Sequence, residues 1–377
     1  MKSPLTSDLY YFDYNATHPP IPEVLSEALG EYQHFFFNPS GATRYSLASQ
    51  GKIESVRKIF AKITNTNERD LVFSSTGTEA NYLMIRALRS AFPDVQSVIV
   101  SPFEHSSMYE ALADHHFQIR ILKTDLSGLV SLSSLEALLT ESKSPIVCLA
   151  VGNETGVIQP TAEISKMAKD FDVPFLSDLM QGFGKIEMDF DQFDSFTFSS
   201  HKIGGGMGSA ITRVISNAKE YRLFGGGNQE NSHRAGTENL QSILAFAKAS
   251  EFQLLSLVNK NQKLVTFQKE IENQLTLMGC KIVAQTSPRI PNTSYVILPI
   301  DDLDFFLLGM EEKGFIISTG SSCKSRAREA SSSLLAMGFT KDEALRAIRI
   351  STGIYTQESD VNALCFQIKE LLTTFGT

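Results

Sequence analysis

Three residues with usable chemistry stand where apolar, β-branched runs stop. Asp178 closes VPFLSD, His105 follows SVIVSPFE, and Lys202 follows DSFTFSSH at the head of a glycine run. A lysine beside backbone that permits close approach suits a Schiff base with an aldehyde. A carboxylate at a strand end lies where open α/β sheets bind their ligands. A further stretch, FSSTGTEAN, runs a strand through Thr76-Gly77-Thr78 straight into a helix. Such a turn presents the N–H groups of Gly77 and Thr78, and the positive end of the helix dipole, to an anion. Each feature alone has an ordinary reading: a solvated lysine, a loop aspartate, a helix cap. Together they supply what pyridoxal 5'-phosphate requires: a phosphate cradle, a carboxylate for the ring nitrogen and an amine for the aldehyde.

A fourth chemistry is that of a thiol. Cys323 sits in STGSSCKSRAREASS without apolar cover and near Lys324, Arg326 and Arg328. Cations favour the thiolate, so Cys323 is a candidate nucleophile; the alternative is a free surface thiol. Cys148 in IVCLAV and Cys365 in VNALCFQIKELL read as small buried hydrophobes. The four cysteines show no CxxC spacing, which suggests neither a zinc site nor a thioredoxin-like motif.

The elements that must position these residues follow from periodicity. Strand candidates DLVFSS, SVIVS, FQIRILKT, IVCLAV, VPFLSD, DSFTFSS and GSAITRV alternate with helical stretches such as YSLASQGKIESVRKIFAKI and TEANYLMIRALRSAF. This is the pattern of an α/β fold with a mostly parallel sheet covered by helices. The tract from Thr237 to Gly279 reads as one long helix or a broken pair that carries the chain out of the first domain. A smaller α+β unit follows, with KIVAQ, TSYVILPI and FIIST as strands and DLDFFLLGMEEKG and ESDVNALCFQIKELLTTF as helices. The expected division is a large cofactor-binding domain over 16–255, and a small domain of 1–15 with 256–377 that carries Cys323.

Composition bounds the partners. The chain has 377 residues, 42% of them apolar, and a formal charge of −8. That charge argues against nonspecific binding of nucleic acid or anionic membrane. The N-terminus lacks a signal-like apolar core, and no segment approaches membrane-spanning length. The expectation is a soluble, cytoplasmic protein with reduced thiols.

The chain resembles the cysteine desulfurases of the class V aminotransferase fold group. The resemblance rests on YFDYNAT, NPSGAT, SSTGTEANY, FEHSSM, GNETGVIQP, SDLMQGFGK, SSHKIGGG, HRAGTENL, STGSSC and ALRAIRISTG, in the family's order. It implies a seven-stranded sheet sandwiched by helices, the fold type I architecture of pyridoxal-phosphate-dependent transferases. It also implies that Lys202 carries the cofactor, Asp178 pairs with its ring nitrogen, His105 stacks on the ring and Gln181 bonds the phenolic oxygen. Gly77, Thr78, Ser199 and His201 would hold the phosphate, and Thr237 would reach it from the partner subunit of a homodimer. Asn153 and Arg349 match positions near the substrate carboxylate, and Cys323 matches the persulfide cysteine. The implied reaction turns L-cysteine into L-alanine and passes the sulfur from Cys323 to an acceptor protein, an iron–sulfur scaffold or a thiolation relay. Selenocysteine lyase, another class V aminotransferase and a catalytically weak sulfur-relay subunit are the alternatives.

The chain departs from the family pattern in three places. Thr43 and Ser46 stand where the family has histidine and glycine; IGGGMG replaces a Gly-Gly-Pro segment after Lys202; and Asn231, Ser232 and His233 replace other residues on the dimer-side rim. The glycine run is expected to be more flexible than its family counterpart.

Overall fold

A computed structural model describes residues 4–5, 9–216, 218, 221–319 and 329–375. Cys323 and its neighbours Lys324, Arg326 and Arg328 lie outside the described residues.

The seven expected strand segments form one sheet. Its spatial order is Leu71–Ser74, Ala210–Arg213, Ser195–Ser199, Phe175–Asp178, Ile146–Val147, Ser97–Val100 and Gln118–Ile121. Ala210–Arg213 runs antiparallel to both its neighbours, and the other pairings are parallel. Interior strands such as Ser195–Ser199, which reads SFTFS, are buried at every residue because helices cover both faces of the sheet. The edge strand Gln118–Ile121 reads QIRI and is half exposed. Phe60, Phe183, Phe198 and Phe246 build the core under the sheet, with the Phe183 and Phe198 rings stacked at 3.9 Å.

Helix Gly77–Ala91 starts at Thr76, whose hydroxyl accepts from Glu79 N at 3.1 Å. It buries Ala80, Leu83, Met84, Ala87 and Leu88, the three-and-four spacing that presses one helical face onto the sheet. The long tract is a broken pair, Leu240–Leu255 and Leu257–Leu277, with Ser256 between them.

Beyond it lies an antiparallel sheet ordered Ser318–Thr319, Ala347–Ser351, Thr293–Ile297, Lys281–Ile282. The segment ALRAIRISTG, quoted above only as a family match, supplies the central strand Ala347–Ser351. FIIST splits: Phe315–Ile316 pairs with Tyr10–Tyr11, and Ser318–Thr319 pairs with Ala347–Ser351. No described helix is long and apolar enough to cross a membrane. Cys148, Cys280 and Cys365 are buried free thiols.

Candidate active site

The expected residues converge at the carboxyl ends of the strands. Thr76, Gly77 and Thr78 line one wall of a cavity of about 280 Å³, and His105, Asn153, Asp178, Gln181, His201 and Lys202 are among the residues that line the others. The N–H groups of Gly77 and Thr78 belong to the first turn of the helix, where no intrahelical acceptor exists. A Cβ on Gly77 would lie 2.8 Å from Met180 Cε, so a larger residue there would have to push the Met180 side chain aside. Arg234 braces the turn from outside through Glu79 Oε1 at 2.6 Å and Ser75 Oγ at 2.8 Å.

Asn81, one helical turn further on, organises two of the groups. Its amide donates to Asp178 Oδ2 and to Ser107 Oγ, each at 3.1 Å, while its oxygen accepts from Thr197 Oγ1 at 2.7 Å. Ser107 Oγ in turn lies 2.8 Å from His105 Nδ1, which also accepts from Ser107 N at 3.2 Å. An Nδ1 that accepts leaves the imidazole proton on Nε2. Asp178 Oδ1 accepts from Met180 N at 2.8 Å. Burial pushes the Asp178 carboxyl up, while the Met180 N–H, the Asn81 amide, His105 and Lys202 pull it back.

Lys202 Nζ donates to Asn15 O at 2.8 Å and Ala16 O at 2.9 Å. Burial, helped by the Arg349 charge and opposed by Asp178 and Asp13, brings its ammonium down to about 8. Such an amine sheds its proton near neutrality, which a Schiff-base lysine requires. Burial, then Lys202 and Lys185, hold the His201 imidazole down at about 4, so His201 is neutral; its Nδ1 lies 3.2 Å from Thr17 Oγ1.

A wider cavity of about 490 Å³ opens outward from the same His105, Asn153, Gln181 and Lys202 and reaches Arg349. Arg349 donates to Asp13 Oδ1 at 2.8 Å and Asn153 O at 3.0 Å. Ser318 and Thr319, the last described residues before Cys323 in sequence, line this mouth. Beyond Cys323 in sequence, the Ser331 hydroxyl donates to the buried Glu154 at 2.5 Å. Two expected residues do not line either cavity. Ser199 is buried at the end of its strand, and Thr237 is exposed on the loop before helix Leu240–Leu255.

The class-V aminotransferase family model matches residues 10–364. The chain belongs to the class-V aminotransferase family. A cysteine desulfurase IscS from Dictyoglomus turgidum is 30% identical over 93% of this chain and 91% of its own. Among solved structures, a NifS-like protein from Rickettsia africae shares 31% identity at a TM-score of 0.87, over 97% of this chain and 99% of its own. SspA, solved in complex with cysteine, shares 27% identity at a TM-score of 0.76, over 92% of this chain and 100% of its own.

Class-V aminotransferases work with pyridoxal phosphate, and the residues present fit that group. The donor set carries the fit: the first-turn N–H groups of Gly77 and Thr78 and the neutral His201 imidazole line the cavity, whereas the Ser199 hydroxyl is buried beside it and reaches neither cavity. The uncapped Gly77 and Thr78 N–H groups lie on the same cavity as the buried Asp178 carboxylate and the Lys202 amine, so an anion, a ring nitrogen and an aldehyde each find a matching group.

Each departure noted in the sequence has a local account. Thr43 Oγ1 caps helix Arg44–Thr64 by accepting from Ser46 N at 3.1 Å. The Ser46 hydroxyl occupies the space a Cβ on Gly41 would need, at 2.4 Å, so the serine and Gly41 are matched. The His233 ring stacks on Tyr221 at 4.0 Å. Glu230, Asn231 and Ser232 all have positive φ, and a two-pronged Arg57–Glu230 pair at 2.8 Å pins the segment.

The flexibility expected of the glycine run is corrected by its packing. A Cβ on Gly204 would meet Ile21 Cγ1 at 2.8 Å and His18 Nδ1 at 2.9 Å; one on Gly205 would meet Ser200 Oγ at 2.4 Å. Glycine serves here for close approach and for the positive φ of Gly204, Gly206 and Gly208.

Residue reading alone missed Asn15, Asn81, Glu154 and Lys185. Their only sequence signal was membership of the quoted matches YFDYNAT, SSTGTEANY, GNETGVIQP and SDLMQGFGK.

Proposed function

We propose that this protein is a pyridoxal-phosphate-dependent cysteine desulfurase that converts L-cysteine to L-alanine and leaves the sulfur on Cys323 as a persulfide. The observation that carries this reading is the convergence of Lys202, Asp178, His105 and Gln181 on one cavity whose mouth holds Asn153 and Arg349. The naming of the relatives as cysteine desulfurases, and the cysteine bound to SspA, support the substrate.

Gly77, Thr78, Ser199 and His201 would hold the phosphate, Gln181 would face the ring oxygen, and Asp178 would keep a proton on the ring nitrogen. Bound in this way, the cofactor supplies an electron sink for a carbanion at the substrate Cα. His105 would cover the ring. Arg349 clamps the substrate carboxylate through its planar fork, and Asn153 lies beside it. The Lys202 amine, once free, takes the Cα proton and returns a proton to the product carbon. The Cys323 thiolate attacks the substrate sulfur: an S–S bond forms, the Cβ–S bond breaks, and its electron pair stays on the carbon fragment, which takes up a proton to become alanine. The persulfide then passes to an acceptor protein, an iron–sulfur scaffold or a thiolation relay.

The reading also includes a homodimer in which Thr237 of one subunit serves the other's phosphate, and the division of the chain into 16–255 and 1–15 with 256–377. The break at Ser256 and a separate apolar cluster around Phe306, Leu364 and Ile368 support the division.

The test measures alanine and sulfide formed from L-cysteine by wild type and Cys323→Ala, with and without reductant. Loss of both products in Cys323→Ala, with the cofactor absorbance intact, is expected. Full turnover without Cys323 would overturn the persulfide step. An absorbance band that survives Lys202→Ala unchanged would overturn the assignment of the cofactor lysine.

A further inference from the structure

Lys185 is a buried lysine that the reaction does not use. Its amine donates to Gln181 Oε1 at 2.5 Å and to Asn15 Oδ1 at 2.8 Å. It lines neither the inner cavity nor the mouth, but a small void behind them beside Lys202, His18 and Lys260. The charges that act on it, Lys202, Arg349 and Lys260, are all positive. With burial they drive it toward the neutral amine, which still has two N–H donors for its two acceptors.

The bond to Gln181 settles which end of that amide faces the site. Gln181 Nε2 donates to Asn15 O at 2.9 Å. A flipped amide would set its oxygen against the Asn15 carbonyl, two acceptors face to face, and would take from the Lys185 N–H the oxygen it now donates to. In the observed orientation Oε1 is taken by Lys185, one N–H is taken by Asn15, and one N–H remains on a side chain that lines both cavities.

Asn15 is itself rigid. Its amide donates to Thr293 Oγ1 at 2.8 Å, its N–H to Ser351 Oγ at 3.0 Å, and its carbonyl also accepts from Lys202 Nζ. Lys185 therefore ties Gln181 to a fixed point on the strands Thr293–Ile297 and Ala347–Ser351.

We propose that Lys185 is a positioning residue: its amine, held between Gln181 Oε1 and Asn15 Oδ1, locks the Gln181 amide so that an N–H rather than the carbonyl oxygen is presented to the cavity beside Lys202. The inference rests on the cofactor reading above, in which that N–H faces an oxygen anion of the bound group. An anion that loses its donor, or meets a carbonyl oxygen instead, becomes harder to form.

The test is the pH titration of the cofactor absorbance in the purified holoenzyme, for wild type, Lys185→Met, Gln181→Leu and the double variant. Lys185→Met is expected to move the midpoint by about one pH unit, tenfold in the proton-binding constant. Gln181→Leu should move it in the same direction, and the double variant no further than Gln181→Leu alone. Lys185→Gln, shorter but still a donor, should give a smaller shift and serves where Lys185→Met does not fold. Additive shifts, or a wild-type midpoint in the Lys185 variants with only a lowered melting temperature, would overturn the proposal, as would an unmoved midpoint in Gln181→Leu. Failure of the cofactor reading looks different: no absorbance band that depends on Lys202.

Discussion

Glu104 stands beside His105 in sequence and is buried, with Oε1 accepting from Leu149 N at 2.6 Å and Oε2 unpartnered. Burial, and then the nearby Asp178, raise its carboxyl from 4.5 to about 8. Between those values the folded chain keeps a proton that the unfolded chain has lost. The stabilisation is complete below the unfolded value and falls as pH rises toward about 8. Glu104→Gln has no such proton to lose, so urea unfolding should show it about 1–3 kcal/mol more stable than wild type at pH 8.5 and near parity at pH 5. Equal pH slopes in the two proteins would show that Glu104 does not titrate in that window. Arg349 allows a kinetic prediction. Two of its nitrogens are fixed by Asp13 and the Asn153 carbonyl, and its Nε is buried without a partner. Lysine cannot reproduce a planar fork, so Arg349→Lys should raise KM for cysteine about tenfold or more. An unchanged KM would remove Arg349 from the substrate site.

Among the elements, the turn after Lys202 makes the sharpest claim. At Gly204 φ is +89°, and the space for a Cβ is filled by Ile21 and His18. Gly204→Ala should therefore cost about 1–3 kcal/mol in thermal or denaturant unfolding, whereas a loose loop would tolerate alanine. Glu154 makes a second claim, since its buried carboxylate accepts from Tyr295, Ser331 and Ser333. Glu154→Ala strands three hydroxyls and should lower stability by about 3 kcal/mol or more, measured the same way. The sheet was legible before these details because its inner strands, buried on both faces, read as short runs of β-branched, aromatic and small residues between stretches of helical period. Ala347–Ser351 escaped the strand reading because Arg349 interrupts its apolar run, a charge placed there for the cavity it faces. Asp178, Lys202 and His105 were legible because each closes or follows a strand. Lys185, Asn15 and Asn81 were not, since each works through a pairing between residues far apart in sequence: Lys185 with Asn15 is 170 residues apart, and Asn81 with Asp178 is 97. Local pattern carries no trace of such pairings.

For the molecule as a whole, the phosphate end of the site poses a geometric question. Gly77, Thr78 and His201 line the cavity of their own chain, but Thr237 is exposed outside it, although Arg234, three residues earlier, braces the same turn. If Thr237 serves the partner's phosphate, a lesion at Thr237 and a lesion at Lys202 damage different sites of a dimer. In a mixed dimer of Lys202→Ala and Thr237→Ala chains, one site carries both lesions. The other combines the intact Lys202 of the Thr237→Ala chain with the intact Thr237 of the Lys202→Ala chain. Mixing the two inactive or weakened variants should therefore restore up to one working site per mixed dimer, read as recovered alanine formation and cofactor absorbance. If Thr237 acts within its own chain, each chain of the mixed dimer keeps its own single lesion, and mixing restores nothing beyond the average of the two parents. The two outcomes separate without any knowledge of the sulfur acceptor, because both readouts precede transfer from Cys323.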